Sequence, residues 1–182
     1  MKDLIISRRH FIKNVAMIAA SISALPAVNV IAGVLTDVSR MDDLERAVFA
    51  KMLKISLPTG DSTLVDPASL PVLPTIEGAL LAGMAPNIRQ GLRGGISYFN
   101  EGSLKAFGDR FINLNDADAI RFVDQWSASS APPERALSMG IKKLTVLAYW
   151  AIPNTWGPLG YDGPVSDKWN LSSLGNTPEP TI

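Results

Sequence analysis

The chain has 182 residues, with 17 basic and 17 acidic side chains and 47% hydrophobic residues, enough for one domain around a single core. It contains one histidine, His10, and no cysteine. Beyond the N-terminal segment this excludes Ser-His-Asp and Cys-His nucleophilic catalysis, haem held by His or Cys, Cys-ligated iron–sulfur clusters, nearly all zinc sites, and any reliance on disulfides.

Ser7-Arg8-Arg9-His10-Phe11-Ile12-Lys13 is followed by an apolar stretch from Val15 to about Leu35, with no charged side chain between Lys13 and Asp37. Paired arginines ahead of Phe-Ile-Lys and an apolar run look like a twin-arginine export signal, with Arg8, Arg9, Phe11 and Lys13 as its signature. The competing reading is an N-terminal membrane anchor, since about 20 apolar residues suffice to span a bilayer. No clean Ala-x-Ala marks a cleavage point, and Pro26 weakens the segment as an anchor. The expected division is residues 1–35 as signal, 36–165 as a helical domain and 166–182 as an extended polar tail. The first 33 residues hold Lys2, Arg8, Arg9 and Lys13 against Asp3, which leaves 13 basic and 16 acidic side chains in the body. A net charge of −3 is no footprint for nucleic acid or an anionic membrane.

Residues 42–57 read as an amphipathic helix with Leu44, Val48, Met52 and Ile55 inward and Ala47 beside them. Asp42 and Glu45 stand at capping-box spacing, and Pro58 stops the helix. Residues 58–74 contain four prolines and read as a long ordered loop or a set of turns. Asp61 and Asp66 lack the spacing of a calcium loop, and Asp66-Pro67 is better read as the start of a helical turn. Over residues 75–100 two helical pieces are expected. The first is capped by Thr75, with Ile76, Leu80 and Met84 on one stripe. The second starts at Pro86 and continues through Ile88, Leu92 and Ile96. Gly78, Gly83, Gly91, Gly94 and Gly95 are many for helices and read either as close-packing points or as places where a partner's backbone approaches. Gly91-x-x-Gly94-Gly95 lacks the following Lys-Ser/Thr and the preceding strand of a nucleotide loop.

Phe107–Leu114 reads as a short connector. Asn115 caps the next helix, with Asp116 and Asp118 in its first turn and Ile120, Val123 and Trp126 following at three-residue steps. The two aspartates are thus explained by capping rather than acid–base chemistry. Pro133 starts the strongest helix, which runs to about Ala151 with Ala136, Leu137, Gly140, Ile141, Leu144, Leu147 and Ala148 as its apolar stripe and Lys142 and Lys143 in water. From Val165 to Ile182 the chain is polar and expected to lie extended. No alternating strand pattern of useful length occurs, so the predicted fold is all-α: a single small domain of four to five helices with a long Pro-rich loop and an irregular aromatic C-terminal segment.

Residues 149–164 form a loop loaded with aromatics, whereas loops are normally polar. Trp150, Trp156 and Tyr161 either fold back as a lid on the bundle or meet a partner, where Trp and Tyr act as hot spots. Tyr149-Trp150, Pro153, Trp156 and Gly160-Tyr161-Asp162-Gly163-Pro164, together with the export signal, resemble the gluconate 2-dehydrogenase subunit 3 family. Phe49 to Pro58 and the Arg121…Trp126…Arg135 region are also similar to it, so the likeness covers roughly residues 40–165. Family cysteines have no counterpart here, and no role of theirs carries over.

The resemblance implies a non-catalytic small subunit, without a cofactor of its own. Its partner would be a large FAD-containing subunit of the glucose–methanol–choline class, carried by it through the twin-arginine translocase. Electrons would pass to a cytochrome c subunit with haem c or to another acceptor. The implied location is the periplasm, with attachment to the outer face of the inner membrane through partners or an uncleaved signal. The partner interface is expected at Trp150, Trp156, Gly160, Tyr161, Gly163 and Pro164. Two other classes stay open: a self-standing carboxylate-based enzyme, and a periplasmic ligand-binding module with the Pro-rich loop as its mouth.

Overall fold

The computed structural model describes residues 40–170 other than Pro58 and Asp61. The export signature Arg8, Arg9, Phe11 and Lys13, the apolar segment after it, the Pro58 stop, Asp61 and the tail beyond Asn170 lie outside the described residues.

The described chain is all-α, as expected. Four long helices, α1 (Asp43–Ser56), α3 (Pro86–Gly102), α5 (Asp116–Ser127) and α6 (Pro132–Trp150), form the bundle. Short helices α2 (Val72–Thr75), α4 (Leu104–Phe107) and α7 (Val165–Lys168) lie between or after them. Helix α6 is the central post: α1, α2, α3 and α5 all pack on it. Among the described residues no helix is long and apolar enough to cross a membrane.

Local signals explain the helix starts. The Asp42 carboxylate accepts from the Glu45 amide at 2.8 Å, and Glu45 accepts in return from the Asp42 amide at 2.9 Å, completing the predicted capping box. Asn115 caps α5 by accepting from the Asp118 amide at 2.9 Å. Pro86 and Pro132 occupy the first positions of α3 and α6, where their missing N–H costs nothing. Asp66 accepts from the Ala68 amide and opens a 3₁₀ turn at Pro67–Ser69, as read from Asp66-Pro67.

Thr75, in contrast, is not a cap. It has helical dihedrals inside a segment that starts at Val72, and its hydroxyl bonds back to the Pro71 carbonyl at 2.8 Å. The segment then widens into a π-helix, Ile76–Leu81, with the Ala82 amide reaching Glu77 five residues back. The Phe107–Leu114 connector carries a 3₁₀ turn at Phe111–Asn113 that buries Phe111. At the other end, the tail expected to be extended from Val165 begins with one helical turn, α7.

The core joins Val48, Phe49 and Met52 of α1, Leu92, Ile96 and Phe99 of α3, Phe122 and Val123 of α5, and Leu137, Ile141, Leu144 and Ala148 of α6. Its aromatic centre sets the Phe99 ring 4.8 Å from Phe111, 5.0 Å from Phe122 and 5.2 Å from Trp126. Leu147, expected on the apolar stripe of α6, is 42% exposed, and Ile120 of α5 is 44% exposed.

One buried ion pair locks α1 to α3. Glu45 and Arg89 are each 1% exposed, and both guanidinium Nη atoms of Arg89 bond the carboxylate. Arg89 also donates to the Arg40 carbonyl at 3.1 Å, and Arg93 donates to that carbonyl at 2.6 Å and to Glu45 at 3.3 Å.

The glycines divide by surroundings. A Cβ on Gly102 would lie 2.0 Å from Trp126 Cζ2, and one on Gly95 would lie 2.6 Å from a methyl carbon of Leu137. Gly95 is therefore a close-packing point, whereas Gly78, Gly83 and Gly94 have open space. Trp126 is wedged among three rings and cannot yield. Gly102→Ala should thus lose about 1–3 kcal/mol to overpacking, more than the roughly 1 kcal/mol available from helix propensity. Gly94→Ala should instead gain up to about 1 kcal/mol. Urea midpoints that move in opposite directions for the two variants are the expected result.

Asp116 ties α5 to α1. It accepts from Lys54 at 2.6 Å and from Lys51 at 2.9 Å. The hydrogen bond from Lys54, then that from Lys51, holds its carboxyl below the usual carboxylate range. A depressed folded-state value means that the stabilisation is complete above the unfolded value, about 3.9, and disappears as pH falls through the folded one. The stability difference between the wild type and Asp116→Asn should be largest near pH 6–7 and shrink as pH falls below the unfolded value, as read by urea unfolding across that range.

Candidate partner interface

Helix α6 ends at Trp150, and the next fourteen positions fold into a compact cap rather than a free loop. Ile152 is buried, and two 3₁₀ turns follow, Pro153–Thr155 and Gly157–Leu159. Thr155 is buried and donates its hydroxyl to the Ile152 carbonyl at 2.8 Å. The indole N–H of Trp156 donates to the Trp150 carbonyl at 2.8 Å, satisfying one of the carbonyls that a helix end leaves unpaired.

The glycines of Gly160-Tyr161-Asp162-Gly163-Pro164 are backbone devices. Gly160 (φ +66°) turns the chain out of the second 3₁₀ turn, and the Tyr161 amide returns to the Trp156 carbonyl at 3.1 Å. Gly163 has φ +100°, and its hypothetical Cβ would lie 3.5 Å from the Trp156 ring, so it needs its conformation more than its size. Pro164 precedes α7, whose Lys168 pairs with Asp162. That hydrogen bond from Lys168 keeps the Asp162 carboxyl below its ordinary range.

The six predicted interface residues therefore play different parts. Trp150 and Trp156 are half-buried. The Trp150 ring packs 4.9 Å from that of Tyr149, and Trp156 packs 5.2 Å from Tyr161. Gly160, Gly163 and Pro164 shape the backbone. Tyr161 is 47% exposed and stands on the Trp156 ring as its support. Sequence reasoning missed three neighbours of Tyr161 in the chain that also reach solvent: Leu159, Val165 and Trp169, the last 71% exposed. Trp169 lies beyond the Gly-Pro motif, among residues read as polar tail. Its only signal was a bulky indole in a segment with no core to join.

Tyr149, fully buried, donates its hydroxyl to the Val65 carbonyl at 2.7 Å, pinning the Pro-rich segment to the end of α6. Burial is the main cause that pushes its phenol above the usual value. Between that segment and α1 lies a cleft of about 550 Å³, with Leu53, Leu57, Pro67, Leu70 and Val72 on its walls and Lys54 and Asp66 as its charged groups. Among the described residues no three His, Asp or Glu side chains converge as a metal site would require.

No curated protein and no solved structure is significantly similar to the chain. A family model does match: gluconate 2-dehydrogenase subunit 3, over residues 43–163, from the start of α1 to the glycine against Trp156. That match takes in the bundle and the aromatic cap together, about two thirds of the 182 residues. The chain belongs to the gluconate 2-dehydrogenase subunit 3 family, the family of a subunit of a multi-subunit dehydrogenase.

Proposed function

We propose that this chain is a non-catalytic subunit that holds an FAD-bearing dehydrogenase subunit and escorts it through twin-arginine export to the periplasm. The observation that carries this reading is the solvent-facing group Leu159, Tyr161, Val165 and Trp169, presented on a segment fastened to the bundle by Trp156. Large side chains held in place but left in water lose little entropy when a partner covers them, which is how interface hot spots work. Family membership supports a multi-subunit setting. A body without histidine or cysteine suits a subunit whose redox chemistry resides elsewhere, with the flavin on the large subunit and haem c on a third.

Arg8 and Arg9 supply the address in this reading. Co-expression of the tagged full chain with the flavoprotein is expected to yield a yellow complex in the periplasm. Arg8→Lys/Arg9→Lys should leave both proteins in the cytoplasm, still bound to each other. A flavoprotein that reaches the periplasm with the double variant would refute the escort role.

The cleft between α1 and the Pro-rich segment favours a second reading, a ligand-binding module. A small molecule retained by the purified chain alone would support it.

A further inference from the structure

We propose that the outward face of α6 is a docking surface for an acidic-rimmed protein partner, continuous with the aromatic cap. This rests on the reading above, in which that partner is the flavoprotein subunit.

Helix α6 is the post on which the bundle packs, yet none of the long helices covers its far side. Met139 is 61% exposed, Leu147 is 42% exposed, and Val146 and Trp150 are half-buried. At 100° per residue Met139, Lys143, Val146 and Trp150 fall within one narrow sector, with Lys142 and Leu147 on its flanks. The buried row Leu137, Ile141, Leu144 and Ala148 occupies the opposite side. An ordinary solvated helix face is polar, with acidic residues one turn from basic ones. Here the positions three and four residues from Lys142 and Lys143 are Ser138, Met139, Gly140, Thr145, Val146 and Leu147, none of them acidic. Among the described residues neither lysine has an ion-pair or hydrogen-bond partner, although Asp116, Asp118, Asp162 and Glu77 are all paired elsewhere.

Two positive charges beside an apolar row, without a partner among the described residues, suit a surface that brings negative charge to them. A second copy docked face to face would set lysines against lysines. An anionic membrane would attract the lysines but repel a body that carries a net −3. A protein surface with an apolar centre and an acidic rim satisfies both features. The row ends at Trp150, whose carbonyl receives the Trp156 indole, so the face meets the cap at that residue.

The test is the charge reversal Lys142→Glu/Lys143→Glu in the full chain, co-expressed with the flavoprotein and compared with the wild type. Both side chains are exposed, so the far-UV circular dichroism of the variant should match the wild type. At 50 mM salt the variant should hold the flavoprotein at least tenfold more weakly. The difference should shrink at 500 mM, because screening shortens the reach of the charges. Equal retention of flavoprotein by variant and wild type would overturn the surface while leaving the subunit reading intact. A wild-type chain that retains no flavoprotein would overturn the subunit reading and the surface with it. Self-association of the purified chain that is abolished by the reversal, or flotation on vesicles of anionic lipid that is abolished by it, would reassign the face to a second copy or to a membrane.

Discussion

Arg89→Met is expected to lower the unfolding free energy by about 3–5 kcal/mol, the usual cost of removing one partner from a buried ion pair. Glu45 would keep its burial and lose both Nη donors of Arg89, leaving Arg93 at 3.3 Å and the Asp42 amide as its remaining partners. The pair is not itself strongly stabilising. Arg89 Nε is buried with no hydrogen-bond partner, so part of the desolvation cost goes uncompensated. Glu45→Met/Arg89→Met should therefore recover a good part of the loss. It should not recover all of it, because the Asp42 amide loses its capping acceptor and the Arg40 carbonyl loses one of its two donors. Urea unfolding of wild type, the two single variants and the double variant gives the coupling directly. A loss under about 1 kcal/mol for Arg89→Met would place the pair in the class of exposed bridges instead.

This pair also shows where sequence reading reached its limit. The Asp42/Glu45 capping box was legible because its partners are three residues apart and the pattern is local. The burial of Glu45 was not, because its partner lies 44 positions away. In α1 the row inferred from Leu44, Val48, Met52 and Ile55 is rotated from the true buried face, Glu45, Val48, Phe49, Met52 and Leu53, by the presence of a charge that a hydrophobic pattern counts as solvent-facing. In helix α5 steps of three residues fall 60° short of a turn each, so Ile120, Val123 and Trp126 drift across 120°, with Ile120 at the outer edge. The buried set is Ala119, Phe122, Val123 and Trp126, and Ile120 is left in water. Helix starts, by contrast, depend on caps and prolines that act locally, and those at Asp42, Pro86 and Asn115 lie where their chemistry puts them. Thr75 differs because its hydroxyl found a carbonyl four residues back, an alternative that the bare sequence leaves equally open.

The aromatic cap was legible as a feature but ambiguous in role: a lid and a docking loop call for the same residue types. The geometry gives Trp156 and Tyr161 different surroundings, and this leads to the second large effect. Trp156→Ala and Tyr161→Ala should both weaken retention of the proposed flavoprotein partner, by different routes. Trp156 bonds the end of α6, supports the Tyr161 ring and lies against Gly163, so its removal frees the whole segment from Gly157 to Lys168. Losing a large, half-buried aromatic should cost about 2–4 kcal/mol of local stability, toward the lower part of the range for fully buried rings. It should also raise amide exchange through the segment. Tyr161 is half in water and holds up nothing beyond itself. Its truncation should leave the unfolding midpoint within about 0.5 kcal/mol of the wild type, yet weaken partner binding by about 2 kcal/mol, roughly thirtyfold, if it is a hot spot. Hydrogen exchange of the free chain and retention of the flavoprotein, measured side by side, distinguish the two routes. Loss of binding with unchanged exchange for Tyr161→Ala identifies a contact residue. Unchanged binding for Tyr161→Ala, with binding and exchange both altered for Trp156→Ala, would mean that the cap serves the bundle's own closure and that the partner is held elsewhere on the surface.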